Sequence, residues 1–297
     1  MLFLLACLRL EAETPKNTSI SEDLAEDIAQ NIDIARQIPV QKESYPFLKP
    51  EAEVLRLEVK FPVPEGYQRV SLEEGSFGKW LRNIPVIDRT AVRAYDGSSI
   101  NAPAAAIVPI DVGKGDVQQC ADSILRLYAE YRWHQKTQDS WAIHFTSGDI
   151  STWKDWSAGK RFLISGSKVK QVQKAKADSS YAQYQKWLHH SFLYAGTKSL
   201  HLDATVVGLE QSIQPGDFFV TAGSPGHAII VLDVAQHAEG QLIALLGQGF
   251  MPAQEFHVLR NANPQNKDWF ILPKNQEDTL HNPSWSSISR KNVYRFP

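Results

Sequence analysis

Apolar residues recur along this chain with two periods, and the change from one to the other divides it. Val117, Cys120, Ile124, Leu127 and Tyr131 return every three or four positions, one face of an α-helix. Asp116 stands just before this run with Gln119 three residues later, the spacing of a capping box, so the helix is predicted to carry Cys120 in its first turns. A second helix is predicted over 181–194, closed by Ala195-Gly196 with glycine at the usual C-terminal position. A shorter one over 76–81 stops before Pro85. After Pro215 the pattern becomes that of strands: 217–221, 227–234, 242–246, 256–259 and 269–272 are short apolar runs separated by Gly, Pro or Asn. Earlier strands are predicted at 55–59, 91–95, 104–110 and 141–145, with Asp96-Gly97 as the turn between the second and third. Helices supplied first and an antiparallel sheet completed last make an α+β fold, its C-terminal sheet packed by the helices.

The N-terminus follows neither pattern. Met-Leu-Phe-Leu-Leu-Ala-Cys, residues 1–7, resembles the end of a bacterial lipoprotein signal, where a small residue precedes the cysteine that becomes lipidated; a misplaced start codon would account for the missing basic residues. Cys7 is then the lipidation site. A short apolar N-terminus with a chance cysteine is the alternative. Residues 8–53 have the composition of a tether, in which Leu24, Ile28 and Ile32 mark one short amphipathic helix and Tyr45 and Phe47 are the only aromatics. A single α+β domain is expected over 54–297, without repeats or long linkers. The resulting picture is a bacterial envelope protein held to a membrane by its N-terminal lipid.

Composition narrows the functions. The chain has 297 residues, 43% hydrophobic, with 31 Lys+Arg against 33 Asp+Glu, enough apolar mass for a core and no excess positive charge to drive nucleic-acid binding. Two cysteines are too few for a secreted disulfide scaffold. No dinucleotide fingerprint, Walker loop, zinc motif or paired-carboxylate signature occurs, so no cofactor and no metal are expected.

The chemistry concentrates between residues 213 and 248. His227 enters a strand directly after Ser224-Pro225-Gly226, which puts its ring at the end of a sheet where a substrate can reach it. Pro215-Gly216-Asp217 opens the preceding strand, and Gln248 ends the following one. Cys120 has two readings. As a thiol near a helix N-terminus it gains from the helix dipole and could act as a nucleophile; as a member of the face holding Ile124 and Leu127 it is a core residue. His227 is equally balanced between a site and a turn-satisfying role. Ser224, Ser147 and Thr197 are weaker hydroxyl candidates. His189-His190 lacks an acidic partner at ligand spacing, Arg126 and Glu130 have ion-pair spacing, and Trp80, Trp133, Trp153 and Trp156 could line a groove for sugar or peptide.

Residues 181–248, through Pro215-Gly216-Asp217 and Gly226-His227, resemble the NlpC-type papain-like cell-wall endopeptidases. That resemblance implies a catalytic base at His227, an orienting residue at Gln248 and a peptidoglycan peptide as substrate. The family's cysteine begins the helix before the Pro-Gly-Asp turn, and here the matching position near Tyr184 has no thiol, which leaves Cys120 as the candidate nucleophile. A longer series of motifs, including Gly75–Arg82, Gln118-Gln119-Cys120-Ala121-Asp122, His144–Gly148, Gly223–His227 and Met251–Gln254, is similar to the family called domain of unknown function 4846. Two expectations follow: a cysteine hydrolase using Cys120, His227 and Gln248 on cell-wall peptide amides, or a non-catalytic module that binds a peptide or an envelope protein.

Overall fold

The computed structural model describes residues 40–49, 51–166, 168–263 and 267–297. Cys7 and the expected helix around Leu24–Ile32 lie outside the described residues. Among the described residues the main sheet has nine strands: β1 (Tyr67–Arg69), β2 (Ala104–Ile107), β3 (Thr205–Val206), β4 (Phe218–Thr221), β5 (His227–His237), β6 (Leu242–Gln248), β7 (His257–Leu259), β8 (Phe270–Ile271) and β9 (Val293–Arg295). Every pairing in it is antiparallel, in the order β3-β9-β4-β5-β6-β7-β2, with β1 beside the far half of β5 and β8 beside β6. The principal helices are α1 (Phe77–Arg82), α2 (Cys120–His134), α3 (Tyr181–Phe192) and α4 (Thr197–Asp203). The fold is α+β, and the five strands expected after Pro215 are all present.

Strand alternation gives the sheet two buried faces. Ala228, Ile230 and Leu232 of β5 join the core formed with α1, α2 and α3, where Ile124, Leu127, Trp187 and Leu188 are inaccessible to solvent. Ile229, Val231 and Val234 turn the other way and pack with Phe219, Leu246, Leu280 and Ile288. A hairpin, Thr279–Asn282 paired with Trp285–Ser289, supplies the outer layer of that second face. Burying each large apolar side chain in these cores contributes about 1.5–3 kcal/mol before entropy is counted.

An extra residue interrupts the register of β5 with β6: Val231 faces Leu246 and Asp233 faces Leu245, which leaves Leu232 as a bulge. Asp233 therefore emerges among the helices, where its carboxylate accepts from Arg69 Nε at 2.7 Å, Arg82 Nε at 2.8 Å and the Val234 amide at 2.9 Å. Six residues earlier, His227 belongs to the opposite face. The Pro215-Gly216-Asp217 turn is held just as firmly, with Asp217 accepting from Arg295 Nε at 2.6 Å and Nη2 at 2.8 Å. Gly216 needs its φ of 98° there, and an added methyl would strike the Phe77 ring.

The structure departs from the sequence-based expectations at several places. Residues 55–59 are not one strand: Leu55–Arg56 pairs with Pro85–Val86, and Leu57–Lys60 is a helical turn closed by Phe61 N donating to Leu57 O. So short a run fits both periods, and the tertiary partner decides. Asp96-Gly97 does turn a hairpin, but its strands are Val92–Arg93 and Ser99–Ile100, while Ala104–Ile107 joins the main sheet. The cap of α2 is Gln119 with Asp122, whose Oδ2 accepts the Gln119 amide at 3.1 Å; Asp116 instead accepts from Ala253 N at 2.6 Å. Packing also begins ahead of Val54, because Tyr45, Phe47 and Leu48 are buried and the Tyr45 hydroxyl donates to Trp80 O at 2.8 Å. Trp80, Trp153 and Trp156 are core residues and Trp133 packs on Trp153 and Tyr184, so the four do not line an open groove. No helix of the described residues is long and apolar enough to cross a membrane.

Candidate functional site

Helices α1 and α2 lie against β5, and α2 begins with Cys120; the expected counterpart near Tyr184 is inside α3, where the tyrosine is fully buried with its hydroxyl on Ala129 O. The start of α2 is wedged against the chain leaving β6. Gly249 permits this approach, since a side chain there would overlap the Ser123 hydroxyl and the Gln119 carbonyl. The wedge sets Cys120 on a cleft that it shares with Ser224, Pro225 and Gly226, the loop leading into His227.

Burial is the largest influence on this thiol and pushes it up to about 11. The backbone at Ala228, Ala121 and Cys120 itself pulls the other way, as donors to a developing negative charge do. Asp122, in the next position but one, opposes them by like charge. Its own carboxyl is buried, pushed up to about 8, and Oδ1 has no hydrogen-bond partner among the described residues.

His227 is inaccessible to solvent and lies between Phe250 and Trp285, with ring centroids 5.0 and 5.2 Å away. A chain of hydrogen bonds fixes its protonation. His257 Nδ1 faces the Glu255 carbonyl at 3.0 Å and must donate, so its Nε2 accepts from Gln248 Nε2 at 3.4 Å. Gln248 Nε2 also donates to Ser284 Oγ at 2.9 Å, and its Oε1 accepts from His227 Nε2 at 2.9 Å. The proton of His227 is therefore on Nε2, and Nδ1 carries a lone pair with no partner among the described residues. Burial pushes the ring down to about 4, offset in part by Gln248 and reinforced by His257, so it is neutral at pH 7.

This arrangement brings together His227 and Gln248 directly, and Cys120 with the loop that enters β5. It does not join Cys120 to His227: no hydrogen bond links sulfur and ring, and the ring turns to the hairpin face while Ala228 faces the helices. His257, Ser284 and Asp122 complete the site and were not singled out from the sequence. His257 offered no motif spacing, and Ser284 reaches Gln248 through a contact 36 residues apart.

Beside the thiol is an open cleft of about 340 Å3, lined by Cys120, Asp122, Leu193, Thr197, Ser224 and Met251. Thr197 Oγ1 pairs with the Gly223 backbone at 3.3 Å, which braces the loop before His227. Ser147 instead bonds Asp149 in a turn, His190 packs on Trp156, and Arg126–Glu130 is an ion pair of 2.7 Å that is buried and shared with the Tyr181 hydroxyl. Among the described residues no group of three or more His, Cys, Asp or Glu could hold a metal ion.

Residues 57–295 match the family described as "Domain of unknown function (4846)", and the chain belongs to that family. No curated protein and no solved structure matches it.

Proposed function

We propose that this chain, as a member of that family, is a papain-like cysteine hydrolase of the bacterial envelope, anchored through a lipid on Cys7 and acting on amide bonds of cell-wall peptides. The observation that carries the reading is the cleft that Cys120 shares with the loop leading into His227, while Gln248 holds the imidazole with its free lone pair on Nδ1. Cysteine helix, histidine strand and a polar residue on the next strand follow in the order that papain-like chemistry uses.

In the reaction, His227 Nδ1 takes the thiol proton as sulfur bonds to the amide carbonyl carbon. The resulting oxyanion meets backbone amides at the start of α2, and the C–N bond then breaks with the proton passing from His227 to the leaving amine. Water, deprotonated by the same nitrogen, hydrolyses the thioester and restores the thiol. At rest the pair is uncharged and apart, so catalysis requires the His227 ring to turn from between Phe250 and Trp285 toward the cleft when substrate enters it.

The buried thiol, pushed up to about 11, and the missing sulfur–imidazole hydrogen bond favour a second reading, a module that binds a peptide or an envelope protein without cleaving it. Alkylation rates separate the two. In the full chain carrying Cys7→Ser, hydrolase chemistry predicts native-state labelling of Cys120 at neutral pH that falls at least about tenfold in His227→Gln, the size of a lost general-base contact. Labelling that begins only when the protein unfolds, in both proteins alike, assigns Cys120 to the core and leaves the binding module.

A further inference from the structure

The chain is close to electrically balanced as a whole, yet one segment is not. Between Trp156 and Ala177 lie six Lys or Arg residues and no Asp or Glu. The structure folds this segment into a two-stranded hairpin separate from the main sheet, Lys160–Ser165 paired with Lys168–Gln173. Two of its cations are already engaged: Lys160 bonds Asp155 at 2.7 Å, and Arg161 lies over the Trp156 ring at 3.8 Å. Lys168, Lys170, Lys174 and Lys176 are exposed and have no acidic partner among the described residues.

Register places an apolar residue among them. Lys170 faces Leu163 and Lys168 faces Ser165, so Lys168, Lys170 and Leu163 share one side of the hairpin. Leu163 is 47% exposed, while Phe162 on the other side packs against Phe145 and His190. A purely solvated lysine face needs no leucine in its middle. Cations around an outward apolar side chain suit a surface that is anionic at its boundary and hydrocarbon just beneath.

We infer that this hairpin docks on an anionic lipid surface, its four unpaired lysines on the headgroups and Leu163 entering the acyl boundary. The inference stands on this patch alone and holds whether or not Cys120 is a nucleophile or Cys7 is lipidated.

The test is sedimentation of the full chain with vesicles of phosphatidylcholine alone or mixed with phosphatidylglycerol, at low and high salt. The parent is expected to bind the mixed vesicles and to lose that binding at high salt. Lys168→Glu, Lys170→Glu, Lys174→Glu and Lys176→Glu combined should weaken it by about a hundredfold or more, since each lysine near such a surface is worth roughly fivefold. Leu163→Ser should weaken vesicle binding several-fold while leaving binding to heparin, a soluble polyanion, unchanged. Equal vesicle binding by the parent and the fourfold variant overturns the proposal. So does a Leu163→Ser variant that binds vesicles as the parent does, which would make the patch a site for a soluble polyanion.

Discussion

Strand β5 holds two fully buried polar side chains six residues apart, and they are built in opposite ways. Asp233 is saturated: two arginines and a backbone amide meet its carboxylate, and the cluster ties β1 and α1 to the sheet. Among the described residues His227 is held by one hydrogen bond, through Gln248, and keeps a nitrogen free. A buried polar atom without a partner costs about 1–3 kcal/mol, so such a nitrogen marks a place where the fold leaves capacity unspent. Satisfied polar groups hold structure together, whereas an unsatisfied one is available to a ligand or a reaction.

The sharpest way to break this contrast is Asp233→Ala. Arg82 is almost fully buried, and removing its carboxylate leaves a charge without compensation, so urea unfolding should show a loss of about 3–5 kcal/mol. His227→Gln should cost far less at neutral pH, because it removes no charge.

Acid brings out the histidine. Its folded value, about 4, lies below the 6.5 of an unfolded chain, so between those limits the unfolded state binds more protons and stability falls as pH drops from 6.5 to 4. The fall attributable to His227 should reach about 3 kcal/mol and disappear from the profile of His227→Gln, as read by urea unfolding at each pH. His257 is shifted in the same direction and leaves a residual slope of the same sign. Asp122 works against both: its carboxyl is raised from 3.8 to about 8, so stability is lost as pH rises across that range. The smallest effect is expected for Ser284→Ala, about 1 kcal/mol or less for one neutral hydrogen bond to Gln248. A larger loss would show that the histidine network is as rigid as the aspartate cluster.

The placement of the candidate residues on their elements was legible in the sequence because its signals are local. His227 after a Gly/Pro turn, Gln248 at a strand end and Cys120 in the first turn of a helix are each fixed by neighbours within a few residues. The pairing of elements was not legible. Periodicity shows that a helix has an apolar face, but not which strand it covers, so nothing local told α2 from α3 as a helix packed on β5. Tyr45 and Phe47 lay in a stretch of tether composition, and only their packing on Trp80 reveals them as core. Asp233 counted by period two shares a face with His227; the bulge at Leu232 reverses that parity, and no residue type announces it.

That bulge also divides β5 into two segments that evolution can edit separately. Because the register is reset between Val231 and Asp233, substitutions that reshape the histidine end leave the arginine-bound end in place. Descendants of this fold could therefore gain, exchange or abandon a chemistry at one end of the strand while inheriting the other end intact.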